Sequence, residues 1–345
     1  MLTWQIPTAK TTAVFYTLRR GKSRSVEAIS MSHESRWRGR FKSDKWLWIP
    51  GIILAIVLTV IVRGMRTAPK ANLPTDEPTI SVYMHESGEV QNMPLETYLE
   101  GVVAAEMDPT WPLEALRAQA IVARTFTLKK MEEGVPKRNT QASTDPNEFQ
   151  AYNASRVNDR VKQAVKDTRG QIVLYRGQPI NAWFHASSGG ITASAAEGLG
   201  YKKEATPYVA PKNDLQAEPT QTWFRTFSND QVSRAAAAVG VEVGYVTSIK
   251  IGRKGPSGRT ETLIINEKEV PAPSFRVALG ATEMKSTLLD SVSMSGDSVV
   301  MKGRGYGHGV GMSQWGAWLM SQRGKSAEEI VKYYYSNVEI EKQWD

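Results

Sequence analysis

No cysteine occurs anywhere in the 345 residues. That excludes disulfides, thiolate metal sites and a cysteine nucleophile. It leaves the compartment open, because an exported protein can lack disulfides. No internal repeat and no low-complexity tract is visible, and no regular strand–helix–strand alternation runs along the chain. Basic charge is missing from most of it as well. The net charge is +8, but residues 1–45 hold ten Lys/Arg against three Asp/Glu, which is +7 and leaves +1 for residues 46–345. The high pI therefore belongs to the N-terminal tail. A nucleic-acid-binding domain would carry its own basic face, so no nucleic-acid partner is expected.

The one long apolar run is WLWIPGIILAIVLTVIV, residues 46–62. It is near the short limit of about 17–25 residues for a spanning helix. Arg36, Arg38, Arg40, Lys42 and Lys45 precede it, and Arg63, Arg66 and Lys70 follow, with Asp76 and Glu77 nearby. The positive-inside rule puts residues 1–45 in the cytoplasm and the large C-terminal part outside. Trp46 and Trp48 suit a membrane interface. The rival reading is a cleaved signal peptide. No A-x-A-like site follows the run, and basic residues do, which favours an uncleaved single-pass anchor in the cell membrane. Residues 1–30 lack periodicity, and Met31 begins a segment that leads straight into the run. They are expected to be an over-extended start or a disordered tail.

Residues 63–79 include Pro69, Pro74 and Pro78 and read as an extended polar linker. Its span of about 50 Å would let the following domain work away from the membrane. That domain is expected over residues 80–345. A strand is expected at 79–84 and a helix from about Leu95 to Met107, stopped by Asp108-Pro109. A second helix starts at Pro112 and runs to about Glu133. Residues 157–169 are helical. Residues 171–185 read as two strands around a turn at Arg176-Gly177. A short helix at 228–240 precedes two hairpins, one with KGPSG as its turn. Ser326 and Glu329 form a capping box opening the last helix. This order predicts an α+β domain of mixed helices and β-hairpins with a cleft.

The stretch GRGYGHGVGMSQWGA, residues 303–317, alternates glycines with Tyr306, His308, Ser313 and Gln314 before becoming helix-like. Glycines permit conformations and close approaches that a Cβ would obstruct. Two readings stand: a loop delivering polar groups to a ligand at a helix N-terminus, or a turn that lets two elements pack. A Ser–His pair invites a hydrolase triad, but no G-x-S-x-G elbow is present.

Glu106 is the leading candidate for chemistry. At 100° per residue, Leu99, Val102, Val103 and Glu106 share one face of the first helix. Glu96 and Glu100 are offset from it, towards more polar surroundings. A carboxyl beside apolar groups loses hydration and keeps its proton near neutral pH, as a general acid must. The alternatives are a helix-end Glu turned to solvent or a buried Glu paired with an Arg. Arg124 interrupts the apolar AQAIVARTF and needs a partner or a ligand. Arg117, on the same face, reads as a surface charge.

GVVAAEMDPTWPLEALRAQAIVARTF (101–126) and HGVGMSQWGA together closely resemble the SpoIID/LytB family. Further matches fall at 160–200 and at PYV, 207–209. The resemblance spans roughly residues 80 to 338 and rests on several long motifs in order. It implies a membrane-anchored lytic transglycosylase acting on peptidoglycan glycan during spore engulfment. Denuded strands, without stem peptides, would be the substrate, and a cell-wall amidase and a membrane protein of the engulfment machinery would be partners. Glu106 matches the catalytic acid. Arg124 would orient Glu106, bind a sugar carboxylate, or close a structural ion pair. His185, in FHASSGG, would contact sugar or serve as a hydrogen-bonded structural residue. Ser187 and Ser188 would present hydroxyls to sugar. His308, Ser313 and Gln314 are assigned to substrate binding or positioning. Tyr201 and Tyr208 would be aromatic platforms for sugar rings, or core.

Some family members bind zinc through the His of this motif and two downstream cysteines. This chain has Ile191 and no cysteine there, so no metal is expected through that motif, and no cofactor. Ordinary glycoside hydrolases need two carboxyl groups across the bond. The motifs offer one compelling carboxyl, with Asp145 and Glu197 as possible seconds in loops. A lytic transglycosylase needs only one acid/base, because the 6-hydroxyl of the muramic sugar replaces water. The rival function is a non-catalytic wall-binding activator of an amidase. A membrane-to-wall tether is the third.

Overall fold

Two separate hydrophobic cores organise the chain in a computed structural model that describes residues 73–215 and 222–345. The expected anchor at 46–62, the tail before it and most of the linker lie outside the described residues. Among the described residues no helix is long and apolar enough to cross a membrane.

The first core is built around helices. A hairpin of β1 (Thr79–Met84) and β2 (Glu89–Pro94) leads directly into α1 (Leu95–Glu106), and α2 (Leu113–Met131) follows after a short turn. Pro112 caps α2 in an extended conformation rather than occupying its first turn. α2 carries alanine on several sides, and Ala115, Ala118, Ala120 and Ala123 are all buried. Small side chains around the whole circumference let neighbours approach closely, so the helix runs through the interior instead of over it. The short strand β3 (Ala142–Ser143) adds to β1 in parallel. α3 (Asp159–Asp167) packs on α1 and α2. The strands β4 (Gln171–Tyr175) and β5 (Gln178–Pro179) pair around Arg176 and Gly177, both at positive φ, as a two-residue hairpin requires.

The strand β6 (Phe184–His185) and a short helix α4 (Ala195–Leu199) precede the second core. That core is enclosed by β7 (Thr222–Ser228), α5 (Asn229–Ala238), β8 (Ile249–Ile251), β9 (Thr262–Ile265), β10 (Lys268–Pro271), α6 (Ala272–Leu279), β11 (Leu289–Ser295) and β12 (Ser298–Arg304). The two expected hairpins are there: β8 with β9, and β11 with β12. The chain then returns to the first core through β13 (Met312–Ser313), α7 (Gln314–Gln322), α8 (Ala327–Tyr334) and β14 (Glu339–Lys342). The capping box at Ser326 is complete, with both reciprocal bonds made. Among the described residues, helices and five small sheets of two or three strands make a mixed α and β architecture.

Buried polar groups tie the two cores together. Glu197 accepts from the Ser257 backbone N–H at 2.9 Å and from its hydroxyl at 2.6 Å. Arg259, fully buried, donates to the carbonyls of Ser188 and Ile191. Gly309, at φ +81°, leaves room for that guanidinium, which a Cβ would strike.

Candidate functional site

Glu106 is the last residue of α1. That end of a helix disfavours negative charge. Burial is the main cause that pushes the Glu106 carboxyl up to about 7, against lowering contributions from the Ala151 N–H and the Gln314 side chain. Ala151 donates to Glu106 Oε1 at 3.0 Å. The group stays partly accessible, and near neutral pH much of it is protonated.

Glycine at position 101 makes this arrangement possible. Tyr152 lies flat on Gly101, and a Cβ there would fall inside the Tyr152 ring. The Asn153 N–H donates to the Gly101 carbonyl at 2.9 Å. Residues 150–153 therefore dock on α1 and carry the Ala151 N–H to Glu106. Gly101→Ala is expected to lift this loop and cost about 1–3 kcal/mol of stability. Lifting the loop also admits water to the Glu106 carboxyl, and because burial outweighs the Ala151 bond, the carboxyl should titrate at a lower pH. Thermal unfolding and a carboxyl-carbon NMR titration check both effects.

Gln314 opens α7 and is buried, with its Nε2 at 3.5 Å from Gln119 Oε1 of α2. Glu106, Gln314 and Gln119 thus meet where α1, α2 and α7 converge. Ser313 and His185 lie beside them, because β13 and β6 pair in parallel with Ser313 opposite His185. His308 sits behind His185, ring centroids 5.6 Å apart. Burial pushes His308 down to about 3, helped by Arg276 and Arg259, and holds His185 well below the usual histidine range. Both rings are neutral at physiological pH and cannot serve as proton donors of the imidazolium type. His185 Nδ1 is 3.2 Å from the Val310 carbonyl, so that nitrogen carries the proton.

The glycine-rich run serves packing. Gly305, Gly307, Gly309 and Gly311 all take positive φ. A Cβ on Gly307 would strike His185, and one on Gly311 would strike the Trp183 carbonyl. The N-terminus of α7 offers no ready ligand site there. The Ser313 hydroxyl caps the Gly316 N–H at 3.1 Å, and the Trp315 N–H donates to Ala186. Ser313 is thereby a capping residue beside the site, not a free sugar ligand.

Other candidates are placed elsewhere. Arg124 is fully buried in an ion pair with Glu96, through Nε at 2.9 Å and Nη2 at 2.6 Å. Its remaining N–H groups face the carbonyls of Ala120, Gln171 and Val165. The structural ion pair is the role the structure gives it, and no donor is left for a sugar. Glu96 is correspondingly buried, not polar-facing as its offset on the helix wheel suggests. Ser188 is buried and donates to Asp214 Oδ2 at 2.6 Å. Ser187 bridges to Tyr306 through the backbone, and its hydroxyl accepts from the Gly189 N–H. Tyr208 is core, its hydroxyl accepting from the Asn181 N–H. Tyr201 packs edge-on against Trp183 and lines a recess with Lys129 and Lys130, at the far end of α2 from Gln119.

Neither possible second carboxylate pairs with Glu106. Glu197 is buried against Ser257. Asp145 closes a turn onto Asn147, whose backbone N–H and side chain hold its carboxyl below the usual range. Among the described residues no three His, Asp or Glu side chains gather in a way that would hold a metal ion.

The motif reading passed over three tryptophans. Trp111 follows α1, and Trp315 and Trp318 lie on α7 next to Gln314. Their ring centroids are 4.7 Å (Trp111 to Trp315), 5.7 Å (Trp315 to Trp318) and 6.4 Å (Trp111 to Trp318) apart. The signal available in the sequence was their position, Trp111 and Trp315 inside the motifs at 101–126 and 303–317 and Trp318 directly after the second.

Residues 83–175, which contain Glu106, match SpoIID, described as Stage II sporulation protein. Stage II sporulation protein D of Bacillus subtilis is 32% identical over 279 residues, covering 76% of this chain and 78% of that protein. Its counterpart from Bacillus amyloliquefaciens is 33% identical over the same extent. The amidase enhancer of Bacillus subtilis is 28% identical over 289 residues, covering 69% of this chain and 39% of that protein. The chain therefore belongs to the SpoIID family of stage II sporulation proteins.

Proposed function

We propose that this protein is a lytic transglycosylase that cleaves peptidoglycan glycan strands, denuded of stem peptides, during engulfment in sporulation. The observation that carries the reading is the buried Glu106 carboxyl, raised by that burial and held by Ala151 and Gln314, while Glu197 and Asp145 are bonded elsewhere. One carboxyl can serve both halves of the reaction. The protonated Glu106 gives its proton to the glycosidic oxygen as the C1–O bond breaks. The resulting carboxylate takes the proton of the muramic 6-hydroxyl, whose oxygen closes onto C1. No water is consumed; the products are a 1,6-anhydro end and a free hydroxyl on the leaving sugar. The apolar run at 46–62 would anchor the protein in the cell membrane, with its N-terminus cytoplasmic and this domain outside. A cell-wall amidase and a membrane protein of the engulfment machinery are the proposed partners.

Cleavage should fall as pH rises through about 7, because the acid must hold its proton. The Gln314 contact favours the ionised form, so Gln314→Leu should move this limb to higher pH. A pH–rate profile of both proteins decides it. An unmoved limb would separate Gln314 from the titrating group.

The similarity to the amidase enhancer favours one other reading, a wall-binding activator of an amidase. Incubating the purified protein with peptide-free glycan, and separately with intact wall plus an amidase, distinguishes them. Cleavage of the first supports the enzyme. Stimulation of the second without cleavage of the first supports the activator.

A further inference from the structure

Six of the ten tryptophans fall in the described residues, and they divide sharply. Trp183, Trp223 and Trp344 are buried, at 9%, 5% and 4% exposure. Trp111, Trp315 and Trp318 stay partly exposed, and these three are the ones that touch one another. Indole surface left in contact with water forgoes stability that full burial would supply. The fold had two cores in which to put them.

Along the chain the cluster flanks the candidate site. Trp315 follows Gln314, whose side chain reaches the Glu106 carboxyl. Trp111 begins its turn from Asp108, two residues after Glu106, with its N–H donating to the Asp108 carbonyl at 3.0 Å. The exposed Asp108 and Thr110, bonded to each other at 2.8 Å, come just before Trp111 in the chain and supply polar groups there. An indole face carries negative charge density and an apolar surface. The C–H face of a pyranose ring is its complement, while the equatorial hydroxyls of the same sugar need polar neighbours. Rings tilted 54–69° to one another offer several such faces in a small space.

We propose that Trp111, Trp315 and Trp318 form a sugar-stacking subsite that holds one ring of the glycan next to the bond presented to Glu106. This rests on the glycan-cleaving reading and names the part of the surface that would grip the substrate. The subsite acts by binding, so it can be tested without turnover.

The test uses the full-length protein carrying Glu106→Gln, so that bound glycan is not consumed, with peptide-free peptidoglycan oligosaccharide as the probe. Tryptophan fluorescence should shift on addition of the probe. Trp111→Ala and Trp318→Ala should each weaken binding about tenfold or more, with Trp111→Phe and Trp318→Phe recovering most of it. Thermal unfolding of each variant separates lost binding from lost fold, and the Phe variants keep the packing where Ala does not. Undiminished affinity in folded Ala variants overturns the subsite and leaves the cleavage reading standing. Absence of oligosaccharide binding in the Glu106→Gln protein with all three tryptophans overturns the subsite too. If wild-type protein still cleaves glycan in that case, the function stands and its grip lies elsewhere; if it does not, both fall. Tryptophan-dependent binding with no cleavage by the wild type keeps the subsite and removes the enzyme.

Discussion

Glu106→Gln is expected to reduce glycan cleavage by at least about a thousandfold and, in the same protein, to raise stability above neutral pH. The two effects share one cause. Burial at the end of α1 holds the carboxyl at about 7, against 4.5 for a free glutamate. Below 4.5 the group is protonated in both folded and unfolded chains and costs nothing. As pH rises from there, the unfolded chain loses this proton readily and the folded one does not. Stability therefore declines across the window between 4.5 and about 7, and above it the full penalty applies. A shift of this size corresponds to up to ~3 kcal/mol. Glutamine keeps the shape and cannot ionise, so it escapes the penalty. The unfolding midpoints of wild type and variant should agree at about pH 4 and diverge by about pH 8, with the variant higher. A variant that is inactive but no more stable at high pH would mean that Glu106 is not held in a charge-repelling site.

Breaking the Arg124–Glu96 pair is expected to cost about 3–5 kcal/mol, enough to unfold a domain of ordinary stability. Glu96 accepts both Arg124 bonds, and Oε1 also accepts from the Gly170 N–H and the Trp344 indole N–H, each at 3.1 Å. One carboxylate thus joins α1, α2, the entry to β4 and the C-terminal segment. Arg124→Met leaves that carboxylate buried without its counter-charge, and Glu96→Gln leaves a buried guanidinium in the same position. Each should lower the denaturant midpoint sharply. The double variant Arg124→Met with Glu96→Leu removes both charges and should recover a large part of the loss. If the single variants were near neutral, Arg124 would be free for another role, and a substrate contact would return to consideration.

The two residues of that pair show what a sequence can and cannot yield. An arginine inside AQAIVARTF announces a partner, but nothing local says that the partner lies 28 positions earlier and not on a sugar. Glu106 was readable because its neighbours Leu99, Val102 and Val103 mark the apolar face by spacing alone. The hairpins were readable for the same reason, since turn chemistry and alternation are local. The strand β2 was not, because nearly every residue in Glu89–Pro94 is exposed and no alternation marks it. Nor was the pairing of β6 with β13, a two-residue contact between segments more than a hundred positions apart. The glycines of 303–311 signal close approach, yet what they approach, His185, Trp183 and Arg259, is set by the tertiary structure. The tryptophan cluster joins position 111 to positions 315 and 318 and becomes a surface only once the turn before α2 meets α7.

The central claim is that one carboxyl performs both proton transfers, with a hydroxyl of the sugar in place of water. Mass spectrometry of the products from purified protein and peptide-free glycan strands addresses it directly. The account predicts 1,6-anhydro-muramic ends, made by wild type and absent with Glu106→Gln. Reducing ends would contradict it, since water would then be the nucleophile and a second group would have to activate it.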